Sequence, residues 1–138
     1  MKLKRGKKAQ VSVEYLIIMG FVTMIILVIL ATAYLYADII RDKIKVNQVE
    51  LYAEKIISSA ENLFYSGAPA RATISTYLPK GVESVNVGED RIIVTYSTSS
   101  GMNIRGFPCR VPIEGILSNY EGTHTIHLQA QEYKVLIS

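Results

Sequence analysis

Between Tyr15 and Ala37 lie 23 residues without a formal charge, and from Asp38 onward the apolar positions become periodic instead of continuous. As a helix the uncharged run is about 34 Å long, against roughly 30 Å of bilayer hydrocarbon, and it is apolar on every side, as a lipid-embedded or deeply buried helix must be. Tyr15 at one end and Tyr34 with Tyr36 at the other stand where aromatic residues meet the two interfaces of a membrane. Beyond Asp38, the apolar residues Ile40, Ile44, Val49, Tyr52, Ala53, Ile56, Ile57, Ala60, Leu63 and Phe64 recur mostly at spacings of three and four. Arg41, Lys45, Glu50, Glu54 and Glu61 take the other faces. No proline interrupts Val11 to Phe64, and Gly67 followed by Pro69 supplies a stop. The pattern predicts one helix, unbroken at Gly20, whose first half (residues 10–37) is apolar all round and whose second half (residues 38–66) carries one apolar stripe.

The period then shortens. ATISTYL, VESVNV, RIIVTYS, RVPIEGIL, THTIHLQ and EYKVLIS are short, rich in β-branched and aromatic residues, and partly alternating; Ile92, Val94 and Tyr96 oppose Ile93 and Thr95. Pro79 with Gly81, Gly88 with Asp90, and Asn119 with Gly122 mark turns between them. Connections this short leave no room for crossover helices, so an antiparallel sheet is expected, its apolar face on the stripe of the helix from Ile40 to Phe64. The stretch STSSGMNIRGFP, residues 97–108, reads as a longer exposed loop. The fold class predicted is α+β: one long N-terminal helix packed on a small antiparallel β head domain, residues 67–138.

Composition sharpens this reading. The chain has 138 residues, which with a membrane segment removed leaves enough for one modest soluble core. A hydrophobic content of 49% is high for a soluble chain, and the excess sits in the N-terminal run. The net charge of +3 is equally local. Lys2, Lys4, Arg5, Lys7 and Lys8 all precede Ala9, leaving ten basic against twelve acidic residues beyond them, a net charge of −2. No basic patch on a folded face is expected, so nucleic acid is set aside as a partner. The cationic start orients the span, with the N-terminus cytoplasmic and the C-terminus outside. A cleaved secretory signal would have a shorter apolar run closed by small residues.

Glu14 is the anomaly, an acidic residue at the edge of the apolar run. A carboxylate within a membrane costs roughly 2.5 to 3.5 kcal/mol at mid-bilayer, and less toward the interface. Glu14 in a first helical turn can favour the helix dipole or pair with Lys7 or Lys8 at the headgroups. It can also have a role in function.

The stretch KKAQVSVEYLII resembles the class III signal peptide of archaeal type IV pilin-like proteins, a short basic leader cut before a glutamine, with a serine two and a glutamate four residues on. Gln10, Ser12 and Glu14 match, Ala9 is the small residue before the cut, and Lys7 and Lys8 supply the basic context. Ile18 stands where leucine is usual. The motif covers about a dozen residues, while the long helix and β head resemble the whole family architecture.

The resemblance implies a leader of residues 1–9 removed between Ala9 and Gln10 by a prepilin-type membrane peptidase. The subunit, held in the cell membrane as a precursor, then enters an extracellular adhesion filament with copies of itself or related pilins. In that filament Tyr15, Leu16, Ile17, Phe21, Ile25 and Val28 belong to a helical core, and Glu14 meets the freed N-terminal amine of a neighbour. The alternative is a signal-anchored single-span membrane protein with an extracellular β binding domain. An archaellum subunit fits less well, because its leaders generally lack the glutamine and glutamate seen here.

Other chemistry has little support. There is no arrangement of nucleophile, base and orienter, no phosphate loop and no cofactor motif, so the chain is read as a non-enzyme without cofactor. His124 and His127, three apart on a strand, should point to opposite faces, so no metal site is expected. Cys109 is the single cysteine, which excludes an intrachain disulfide; a small buried hydrophobe is expected there, with an intersubunit bridge as the alternative. No N-x-[ST] sequon occurs, a departure from the glycosylation frequent in such filaments.

Overall fold

The computed structural model describes the backbone from Lys4 to Ser138 and the side chains from Val11 onward. One α-helix, α1 (Lys4–Ser66), is followed by seven strands: β1 (Arg71–Leu78), β2 (Val82–Val87), β3 (Arg91–Thr98), β4 (Gly101–Pro108), β5 (Ile113–Gly115), β6 (Gly122–Ala130) and β7 (Val135–Ile137). The fold is the α+β class that the pattern predicts, and Gly20 does not interrupt the helix. Two compact units divide the chain, one reaching to Ile40 and one comprising Arg41–Ser138.

Within the second unit the α1 residues Val49, Tyr52, Ala53, Ile56, Ala60 and Leu63 are buried and share one core with Leu78, Ile92, Val94, Ile126, Leu128 and Val135 from the strands. Ile57 and Phe64 pack against it while partly exposed. The stripe is therefore shorter than its spacing suggests. Ile44, at the start of this unit, is 52% exposed, and Ile40, ending the first, is 54% exposed. Apolar spacing marks a helix face but not how far along that face the strands extend.

The strands form two sheets rather than one, ordered β1-β6-β7-β5 and β2-β3-β4. All pairings are antiparallel except β5 with β7. The antiparallel pairing expected holds for four of the five strand pairs, and β5 with β7 is the one departure. The expectation considered sequential neighbours, whereas the C-terminal strand inserts between β6 and β5, so β6 itself serves as the crossover. Gly115 permits this close pairing: with φ at +159°, a Cβ there would lie 2.8 Å from Ile137 Cβ and inside the contact distance of the Ile137 carbonyl oxygen. The sheets are tied by Ile113 N–H donating to Glu89 O at 3.0 Å and Asn119 Nδ2 to Glu83 O at 2.8 Å.

Residues 101–108, expected as loop, are strand β4, paired with β3 along its whole length. A two-residue connection, Ser99 and Ser100, closes the hairpin.

Candidate functional site

In the first unit, every residue from Val11 to Tyr36 is exposed. This is the one described helix long and apolar enough to cross a membrane. Leu16 and Ile17 are each 65% exposed and Phe21 63%, and Tyr15, Ile25 and Val28 are likewise uncovered. Apolar side chains in such a band all around a helix leave water only when lipid or other protein surrounds them. The polar groups inside the band suit that environment. Thr23 Oγ1 donates to Met19 O at 2.7 Å and Thr32 Oγ1 to Ile29 O at 2.9 Å, so neither hydroxyl needs an external partner.

Ser12 and Glu14 are exposed on this helix, with Glu14 one residue before the uncharged run. Lys7, Lys8, Ala9 and Gln10 fall within α1 by backbone, but their side chains, and hence the expected cleavage junction, lie outside the described residues.

The second unit contains three features that sequence reasoning missed. At the N-terminal end of its helix, Asp42 Oδ2 accepts hydrogen bonds from the Ser99 amide at 3.0 Å and from the Ser99 hydroxyl, and Lys45 Nζ donates to Ser97 O at 2.7 Å. The Ser99 hydroxyl, then its amide and the Lys45 cation, hold the Asp42 carboxyl below its ordinary 3.8 against the opposing effect of desolvation. The partners are 57 residues apart, and no local pattern announces such a pair.

Deeper in the unit, Tyr52 is 1% exposed and its hydroxyl has no hydrogen-bond partner among the described residues. Burial pushes that hydroxyl up to about 12. Its ring meets His124 edge-on at 6.4 Å, and His124 in turn lies 4.3 Å from the Tyr120 ring while Nε2 donates to Tyr120 O at 2.7 Å. His124 is a buried packing residue, whereas His127 is exposed and its Nδ1 is 3.0 Å from Thr73 Oγ1. The two imidazoles thus occupy opposite faces of β6. Among the described residues no cluster of three histidine, cysteine or acidic side chains is placed to hold a metal ion. Cys109 is buried and free of disulfide, and burial pushes its thiol up.

The third feature is an open recess of about 730 Å³ between α1 and β1, with Gln48, Leu51, Tyr52, Glu54, Lys55 and Tyr77 in its lining. Leu51 and Tyr77 present apolar surface there, and Lys55 Nζ donates to Ser75 O at 2.6 Å across one wall. Compared with known proteins, the chain matches no family model, no curated protein and no solved structure.

Proposed function

We propose that the chain is a structural subunit of an archaeal type IV pilus-like surface filament, inserted in the membrane as a precursor and assembled after cleavage before Gln10. The observation that carries the reading is the exposed apolar band of α1 with Glu14 at its edge, on a helix whose C-terminal half is anchored in a β head. Lipid covers such a band while the five leader charges hold the N-terminus in the cytoplasm. Once a prepilin-type peptidase removes those charges, the helices of many copies can cover one another, with the heads outside. A buried Glu14 then requires a cation, and a neighbour's new N-terminal amine is the one the cut supplies.

The test is Glu14→Gln, scored separately for processing and for assembly. If Glu14 acts only on its own helix dipole, the change removes a few tenths to about 1 kcal/mol and filaments form normally. If it meets an amine in an apolar core, the cut subunit stays in the membrane and is missing from filaments, because each copy would bury an uncompensated charge. Cut Glu14→Gln subunits in filaments at wild-type yield contradict the pairing.

A further inference from the structure

Each sheet of the head has two edge strands, and on one edge of each, β1 and β4, the outward-pointing hydrogen-bonding groups can be assigned. Ala130 N–H donates to Ala70 O, which fixes the alternation along the β1–β6 register: the even residues of β1 bond to β6, and the N–H and C=O groups of Thr73, Ser75 and Tyr77 point to the free edge. Lys55 Nζ reaches Ser75 O from outside the sheet, which agrees with this assignment and means that a strand added at Ser75 displaces the lysine from that carbonyl. On β4, Cys109 N–H donates to Asp90 O, so its odd residues bond to β3 and the groups of Met102, Ile104 and Gly106 point outward. The Met102 and Ile104 side chains are 63% and 73% exposed, and β4 carries no lysine and no proline before Pro108, the usual devices that blunt an edge.

We infer that β4 of one copy pairs with β1 of the next copy, joining the heads edge to edge. The inference rests on the reading that copies of the chain assemble. Antiparallel pairing with Ile104 opposite Ser75 sets Met102 against Tyr77 and Gly106 against Thr73, all exposed positions of their strands. A methionine beside an aromatic ring is a favourable cross-strand neighbour, and glycine leaves room for the branched threonine. On the other face, Asn103 and Arg105 are held by their own copy, Asn103 Nδ2 donating to Thr98 Oγ1 and Gly101 O and Arg105 pairing with Glu50 at 3.3 Å, so the pairing rests on the backbone and the outward side chains. Because every copy carries both edges and they differ, the contact is head-to-tail and repeats without using itself up, unlike a two-fold β4–β4 pairing. Backbone pairing at a sheet edge gives the affinity, and the alternating side chains give the register.

The test uses the full chain, in cells that produce it, with Cys109 replaced by alanine and a short bismaleimide as probe. The double variant Ser75→Cys with Ile104→Cys should give a ladder of linked oligomers, and neither single variant should link. Dimers from Ile104→Cys alone indicate β4–β4 pairing and overturn the proposal, as does a double variant that stays monomeric. Adding Gly106→Pro removes one outward N–H, at a position where a Cβ meets nothing within 4 Å. The ladder should fall to the single-cysteine level, and a ladder that persists at wild-type strength also overturns it. Filaments seen by electron microscopy without a ladder defeat the edge pairing alone. A ladder on cells without filaments defeats the filament reading alone.

Discussion

Asp42, in the first helical turns of the head unit, accepts two hydrogen bonds from Ser99 at the tip of the β3–β4 hairpin, one from the amide at 3.0 Å and one from the hydroxyl. Its carboxyl is held below 3.8 in the folded chain, so the group binds protons less readily than in the unfolded chain. The sign follows from linkage. The stabilisation is present at pH values above the ordinary 3.8 and is lost as pH falls through the lower folded value. In detergent-solubilised full chain, the Ser99 amide proton resonance should titrate with a midpoint under 3.8, and Ser99→Ala should move the Asp42 midpoint upward. A Ser99 resonance insensitive to acid contradicts the clamp.

Tyr52 offers a test of the core with an unusual sign. Its buried hydroxyl finds no partner among the described residues, and a hydroxyl buried unpaired gives up hydration without compensation. Tyr52→Phe should therefore leave the head as stable or more stable, within about 1 kcal/mol, where most core changes destabilise. A denaturant midpoint lowered by the substitution would show that the hydroxyl is bonded in solution.

Ile56, fully buried at the centre of the helix stripe, tests the packing of α1 on the strands. Ile56→Asp places an unpaired charge in the shared core and should unfold the head at roughly 4 kcal/mol or more. Leu51→Asp, five residues earlier on an exposed face, should shift the melting temperature little. Equal melting of the two variants contradicts the assignment of the buried face.

These contrasts show which parts of the fold were legible in the chain. The absence of charge from Tyr15 to Ala37 needs no partner to be read, and β1, β2, β3 and β6 announce themselves through β-branched alternation against a core. β4 does not, because Met102 and Ile104 face solvent, only Phe107 of its eight residues is buried, and glycine, asparagine, arginine and proline fill the rest; pairing with β3 makes it a strand. The limit of the helix stripe, the insertion of β7 beside β5 and the Asp42–Ser99 pair likewise depend on where distant segments meet. Glu14 was conspicuous for the opposite reason, as a charge at the edge of a long apolar run.

The central claim is that the chain is cut before Gln10 and then assembled, and the N-terminal residue of the protein in material sheared from the cell surface tests it most directly. Mass spectrometry of that material should give a chain beginning at Gln10, with free or cyclised glutamine, in filaments visible by electron microscopy. A chain beginning at Met1 and recovered only with membranes contradicts the account and leaves a signal-anchored protein with an extracellular β domain.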